Sequence, residues 1–273
     1  MDHASRALHL LTTQDAGEAN RLAQALDKLN LRRRELEQSI LDAIVADLKH
    51  QPDLVEASTL VSWNSGWHLG VLGIVASRLV DIYYHPVVLI AVQNEVGKGS
   101  ARSIPGLNLY AALRECGHLL EDFGGHSMAA GLTIRMENAI DFQQAFEKAV
   151  SQMAQPDDAI PKLTIDSEIC FDDISATLMN EIENISPFGI QNPEPLFMAR
   201  NINVLSSKIV GQNHRKMALT QRDQRSAKPI TAICFNADGN LLGATSFGRL
   251  AFRLRWNRWN GSKSLQLIIE DAQ

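Results

Sequence analysis

The sequence predicts an α/β domain followed by an all-β barrel of the OB type, with a long connecting helix ahead of both. Three observations carry that expectation. An apolar stripe at helical spacing runs from Leu22 to Ile44. Strand and helix patterns then alternate between residues 54 and 155. Beyond residue 160 come five short strand patterns within about 70 residues.

Residues 1–53 read as the connecting helix region. Asp15-Ala16-Gly17-Glu18 has the form of a capping box, with Asp15 as N-cap and Glu18 reaching back. Leu22, Leu26, Leu29, Leu36, Ile40 and Ile44 follow at spacings of three, four and seven, which is one face of a helix. Arg33 breaks the stripe, so a strict coiled coil is not expected. A long helix with a single seam suits a strut between domains. Gln51-Pro52-Asp53 ends it, and Arg32-Arg33-Arg34 reads as a solvated face in preference to a phosphate contact.

Residues 54–155 alternate. Ala57–Trp63, Val87–Val92 and Met128–Met136 have strand patterns; Gly70–Tyr83, Asn108–Leu120 and Ala139–Met153 have helical ones. Strands interleaved with helices imply a layered α/β domain with a mixed sheet. Pro156-Asp157-Asp158-Ala159-Ile160-Pro161 reads as a linker, and residues 156–273 as the second domain. That domain starts with a helix (Ile174–Ile185). Strands follow at Asn201–Val210, Lys216–Arg222, Ile230–Phe235, Arg249–Trp256 and Leu265–Glu270, a pattern that fits a small barrel such as an OB-fold.

Composition narrows the function classes. Hydrophobic residues are 45% and charged residues 21% of 273, as in globular proteins. No apolar run approaches the roughly 20 residues that span a bilayer. Met1–Arg6 has no basic segment leading into an apolar one, so a cytoplasmic protein without a signal peptide and without membrane contact is expected. Cys116, Cys170 and Cys234 are scattered and odd in number, which argues for reduced thiols. The net charge of −5 is unevenly placed: Arg200–Gln273 holds 12 basic and 4 acidic residues, for +8, and Met1–Ala199 holds 14 and 27, for −13. Such asymmetry predicts a basic module on an acidic body.

Four constellations can carry chemistry. In Gly97-Lys98-Gly99-Ser100-Ala101-Arg102-Ser103, two glycines allow close backbone approach, Lys98 and Arg102 supply charge, and Ser100 and Ser103 supply hydroxyls. That suits a phosphate cradle or an ordinary hairpin loop, and it is not a Walker P-loop. Phe123-Gly124-Gly125-His126 places a histidine on a glycine loop, as an anion or scissile-phosphate contact or as a turn residue. Trp67-His68-Leu69-Gly70-Val71-Leu72-Gly73 opens a helix, either for an anion or for close packing on a strand. In the basic module, Lys208, His214, Arg215, Lys216, Arg249, Arg253, Arg255, Arg258 and Lys263 are interleaved with Phe252, Trp256 and Trp259. That combination suits cations tracking a single strand while aromatics stack on bases. Trp259-Asn260-Gly261 reads as a turn, which favours Trp259 over Trp256 as a surface platform.

No hydrolytic site is complete. HxxxH, HExxH and GxSxG are absent, and Asp2-His3 stands without a carboxylate cluster.

Order and spacing make these signals specific in combination. Trp67-His68-x-Gly70-Val71-x-Gly73-Ile74-Val75-Ala76-Ser77-Arg78-Leu79, Gly99-Ser100-Ala101-Arg102-Ser103 and Gly124-Gly125-His126-x-Met128-Ala129-Ala130-Gly131-Leu132 resemble the DHH-associated domain of the RecJ family. The opening Asp2–Leu11 resembles the segment just after that family's DHH domain. The Leu26–Arg33 run with Glu37 resembles its connecting helix. Pro187-Phe188-Gly189-x-x-Asn192-Pro193-Glu194-Pro195-x-Phe197 and Ser264–Asp271 resemble its OB domain.

The likeness covers essentially the whole chain. It implies single-stranded DNA binding within a 5′→3′ single-stranded-DNA exonuclease of DNA repair and recombination. Ser100 and Arg102 would bind the 5′ phosphate, with Lys98, Gly99 and Ser103 beside them. His126, after Gly124 and Gly125, would face the cleft. The OB path would run over Lys208, His214, Arg215, Lys216, Arg255, Arg258 and Trp259. Manganese or magnesium is implied for a DHH domain preceding Met1 and not for this chain. Little nuclease activity is therefore expected of the chain alone, and a separate DHH-domain polypeptide or a single-stranded-DNA-binding protein is an expected partner. The alternative is an inactive fragment or an accessory module that binds nucleic acid or protein.

Overall fold

A computed structural model describes residues 4–50, 57–155, 160–211, 213–222, 228–237, 239–259 and 261–273, without the side chains at 240 and 259. The chain divides into two compact units, Met1–Pro161 and Lys162–Gln273. Among the described residues, no helix is long and apolar enough to cross a membrane. Asp2-His3 and residues 156–159 of the expected linker lie outside the described residues.

The first unit opens with α1 (Ser5–Thr12) and α2 (Ala16–Lys49). The 34 residues of α2 extend about 50 Å at 1.5 Å per residue. Asp15 is its N-cap, accepting from the Glu18 N–H at 2.8 Å. The box is half made: the Glu18 carboxylate accepts from the Thr13 hydroxyl at 2.7 Å instead of reaching back to Asp15. The apolar stripe also divides. Ile40, Leu41, Ile44 and Leu48 are buried, while Leu22, Leu26, Leu29 and Leu36 are only half-buried. The last turns of α2 therefore belong to the core of the first unit, and a pure strut is not what forms.

The rest of the unit is a five-stranded sheet with helices: β1 (Leu60–Asn64), α3 (Leu69–Tyr83), β2 (Val87–Gln93), β3 (Val96–Arg102), α4 (Leu109–Glu115), β4 (Asp122–Gly125), β5 (Ala129–Arg135) and α5 (Ala139–Met153). The strand order is β1-β2-β3-β5-β4, parallel between β1 and β2 and antiparallel elsewhere. One face packs Val88, Ile90, Ala101, Leu132 and Ile134 against α4 and α5 through Leu109, Leu113, Phe142 and Phe146. On the opposite face, α2 and α3 cover Leu60, Val87 and Leu89. The helix expected over Asn108–Leu120 stops at Glu115 and continues as a 3-10 turn, Gly117–Leu119.

The second unit holds β6 (Ser167–Glu168), α6 (Ala176–Asn184), β7 (Phe197–Val210), β8 (His214–Gln221), β9 (Ile230–Cys234), α7 (Gly239–Gly243), β10 (Ser246–Trp259) and β11 (Ser262–Ala272). Five strands close in the circuit β7-β8-β9-β11-β10-β7, with β9 and β11 parallel. Register shifts at Val204/Ser206 and Ala251/Phe252 mark bulges that let the long strands bend around the barrel. Ala199, Ile202, Leu219, Ala232, Leu250, Phe252 and Leu267 fill it. All five predicted strands are present, most of them longer than their apolar patterns.

Two carboxylate contacts, one buried and one half-buried, tie elements of the first unit together. Glu37 is buried and meets Arg33 at 2.8 Å and Arg78 of α3 at 3.1 Å, so Arg33 is tied down while Arg32 and Arg34 stay exposed. Glu147 of α5 holds the approach to β1. Burial opposes its ionisation, but the Thr59 hydroxyl (2.6 Å), the Ser58 N–H (2.9 Å) and the Ser151 hydroxyl (3.3 Å) outweigh that and keep the carboxyl below the ordinary glutamate range.

Replacing Glu37 with alanine should cost about 1–2 kcal/mol in denaturant unfolding, whereas Arg32→Ala and Arg34→Ala should stay within about 0.5 kcal/mol. A lowered folded pKa contributes stability that is full above the unfolded value, near ~4.3, and is lost as pH falls through the folded value. Glu147→Gln should therefore destabilise by about 1 kcal/mol at neutral pH, and the difference should fade below about pH 4 in a pH series of unfolding curves.

Candidate nucleic-acid interface

The Gly97–Arg102 segment is a strand and not a loop. β3 is hydrogen-bonded on both edges, with Ser100 opposite Leu89 of β2 and Gly131 of β5. A strand alternates its faces, so Gly97, Gly99 and Ala101 point one way and Lys98, Ser100 and Arg102 the other. The glycines face the core. A Cβ at Gly97 would lie 2.4 Å from Ile90 Cγ2, and one at Gly99 would lie 2.9 Å from Leu132 Cδ1. These glycines make room for apolar neighbours; close approach of a ligand to the backbone is not their role.

The other face is open beyond α3. Its rows are Lys98–Thr133–Asp122, Ser100–Gly131–Gly124 and Arg102–Ala129 across β3, β5 and β4. The middle row carries one hydroxyl and two glycines; the glycines leave bare backbone in a groove that Leu69, Lys98, Thr133 and the acid Asp122 also line. A Cβ at Gly124 would meet nothing within 4 Å. Arg102 is half-buried. Its Nη1 donates to the Ala101 carbonyl at 2.8 Å and to Ser100 Oγ at 3.2 Å. Among the described residues it has no carboxylate partner. A guanidinium held by a carbonyl and a hydroxyl keeps its charge uncompensated for an anion.

Ser103 does not join this set. It is buried, its hydroxyl donates to the Leu107 carbonyl at 3.1 Å, and its N–H donates to the Met128 carbonyl at 3.0 Å. The hydroxyl expected to meet phosphate instead braces the strand end. His126 is exposed and follows β4, and its N–H donates to the Ala129 carbonyl at 2.8 Å. Ala129 pairs with Arg102, so His126 and Arg102 sit at one end of the sheet, about 10 Å apart at the backbone by strand spacing. Gly125 is required by that turn: its φ is +148°, and a Cβ would lie 2.4 Å from the Ala129 carbonyl oxygen. His68 is the N-cap of α3, its Nδ1 accepting from the Gly70 N–H at 3.0 Å.

On the barrel, much of the expected cationic track is already neutralised. Lys162–Gln273 holds 13 basic and 11 acidic residues, a net of only +2, because acids ahead of Arg200 fold into the same unit. Arg255 pairs with Glu194 at 2.6 Å, Arg258 with Glu183 at 3.4 Å, and Arg253 with Glu270 at 2.9 Å. Arg215 is buried and no surface contact at all. Its guanidinium donates to the carbonyls of Leu241 and Ala244 and to Ser207 Oγ, and burial holds it below the ordinary arginine value. The sequence singled it out because a basic residue between His214 and Lys216 looks like part of a patch, whereas strand alternation turns it inward.

Lys208 and Lys216 face each other across β7 and β8, with no ion pair among the described residues. His214 sits beside them, its Nδ1 accepting from the Asn236 N–H and its ring edge-on to Phe235 at 5.2 Å. Phe235 is 52% exposed and was not singled out from sequence, although it closes the β9 pattern. Trp256 packs on the barrel core under Lys263, whose Nζ is 3.9 Å from the ring centroid. The side chain of Trp259 lies outside the described residues.

No group of three or more His, Cys, Asp or Glu side chains that could hold a metal ion occurs among the described residues.

Gly125→Ala should destabilise by about 2 kcal/mol or more, because it combines a backbone clash with a positive φ. Gly124→Ala should change the thermal midpoint little and yet weaken oligonucleotide binding, because it adds a methyl to the groove floor. Thermal melts alongside anisotropy titrations read both.

Comparison with known proteins converges on one family. A RecJ OB domain model matches residues 165–271, and a DHHA1 domain model matches residues 56–152. The single-stranded-DNA-specific exonuclease RecJ of Bacillus subtilis (strain 168) is 33% identical over 276 residues, which is 100% of this chain and 35% of that protein. Its counterpart in Escherichia coli (strain K12) is 31% identical over 281 residues, 99% of this chain and 48% of that protein. The crystal structure of RecJ in complex with Mn2+ from Thermus thermophilus superposes with a TM-score of 0.80 at 27% identity, over 99% of this chain and 38% of that one. The chain thus spans less than half the length of these relatives. With both units matched, the chain belongs to the RecJ exonuclease family and comprises its DHHA1 and OB regions.

Proposed function

We propose that this chain is the strand-holding part of a RecJ-type 5′→3′ single-stranded-DNA exonuclease. The open face of the first unit's sheet binds the 5′ phosphate through Arg102 and Ser100, with Lys98 and His126 at its margins. The barrel contacts the single strand through Lys208 and Lys216, with the Phe235 ring as a stacking surface. Arg255, Arg258 and Arg253 contribute only by exchanging a glutamate for phosphate, so they are weaker contacts. The resemblance assigns the metal ions and the hydrolytic chemistry to a DHH domain; this chain supplies grip and orientation.

The observation that carries this reading is the state of Arg102. A half-buried guanidinium is anchored by its neighbours' oxygens and has no carboxylate partner among the described residues. Arg215 shows the structural alternative, buried with both Nη atoms engaged by backbone carbonyls and Ser207, whereas Arg102 is half-buried and engaged through Nη1.

Fluorescence anisotropy with a 5′-phosphorylated single strand tests it. Arg102→Ala should weaken binding roughly ten- to hundredfold, the value of a charge-assisted contact. Lys208→Glu with Lys216→Glu should reduce both affinity and its salt dependence. Retention that ignores all three substitutions would sink the reading. Addition of Mn2+ to the purified chain with the same strand should release few mononucleotides; rapid release would overturn the division of labour.

A further inference from the structure

We infer that Gly73, on α3, is a positioning residue for Arg102: its missing side chain is the slot in which the guanidinium lies. This inference rests on the reading of Arg102 as a phosphate ligand.

α3 crosses the sheet with Val71, Leu72, Val75, Ala76 and Leu79 buried against it. Gly73 belongs to the same helix but is only half-buried, at the border of the open face. A Cβ built there would lie 2.6 Å from Arg102 Nη2, 3.3 Å from its Cζ and 3.1 Å from Ser100 Oγ. No atom of the apolar core is among these nearest neighbours; all three belong to the two side chains proposed to bind phosphate. Glycine in a helix interior is unfavourable relative to alanine, so it needs a compensating reason. Close packing of helix on strand, the ordinary reason, would bring backbone or apolar atoms nearest, as Ile90 and Leu132 are nearest to Gly97 and Gly99.

Arg102 is gripped on one side only. Nη1 is fixed by the Ala101 carbonyl and Ser100 Oγ, whereas Nη2 rests against the helix at Gly73. A methyl there would rotate the planar fork away from its carbonyl and tilt it out of the two-bond presentation that a phosphate needs. Gly73 itself touches no phosphate; it sets the angle at which Arg102 does.

The test uses the full chain with two otherwise identical single strands, one 5′-phosphorylated and one 5′-hydroxyl. Wild type should favour the phosphorylated strand, and Arg102→Ala should abolish the preference. Gly73→Ala should reduce the preference to near the Arg102→Ala level, while its thermal midpoint stays equal or rises, as a helical alanine allows. In a double-mutant cycle, Gly73→Ala should cost nothing further once Arg102 is alanine. If Gly73→Ala alone folds poorly, the double variant should recover, because the clashing guanidinium is gone; a double variant as unstable as the single overturns the steric account. Full preference in Gly73→Ala alongside its loss in Arg102→Ala refutes the inference and leaves the phosphate reading standing. A wild type indifferent to the 5′ end refutes both.

Discussion

A strand hydrogen-bonded on both edges has only its two faces left to offer, and in β3 these are assigned to different tasks. Inward, Gly97, Gly99 and Ala101 are small because Ile90, Leu132 and Ile134 occupy the space where side chains would go. Outward, Lys98, Ser100 and Arg102 form a line of donors at two-residue spacing. The two sets are locked together by register, since a slip of one position would bury the arginine and expose the alanine. The tight core under β3 therefore fixes where the donors above it stand, and stability and donor placement share one constraint.

The fold was largely legible because periodicity reports burial. α5 has the bounds its 3.6-residue pattern gave, Ala139–Met153, all five expected barrel strands form, and β8 alternates buried and half-buried residues from His214 to Leu219. What failed was the reading of glycine. Gly97-Lys98-Gly99-Ser100 looks like a loop by composition, and only the register with β2 and β5 shows that its glycines serve the core. Conversely, Gly131 lies on the open groove floor, and Gly73, in a segment read as a helix start for an anion or as close packing on a strand, has Arg102 and Ser100 as its nearest neighbours. The difference depends on which distant residue stands opposite, and a linear pattern does not encode that.

Charge showed a similar limit. The run from Arg200 to Gln273 is basic in sequence, but the unit it folds into also includes Glu168, Glu183 and Glu194, each paired with an arginine of that run. The exposed pairs, Arg200–Glu168 and Arg258–Glu183, add little stability in water, yet all three lower the local potential that would draw in a polyanion. The Lys208–Lys216 pair keeps its charge because its cross-strand partner is another lysine. Like charges set directly opposite are mildly unfavourable, so that spot of the barrel becomes easier to tolerate when an anion settles over it.

Closure of the barrel has a consequence for what can be read there. Where Phe197–Asn203 of β7 and Ser246–Phe252 of β10 close the ring, their backbone groups are engaged with one another, so a guest cannot add as a further strand along that seam. In the proposed reading the barrel's contacts are ammonium groups and a ring face, and neither distinguishes one nucleobase from another. A surface of that kind grips chemistry common to every nucleotide and lets the sequence slide past unread.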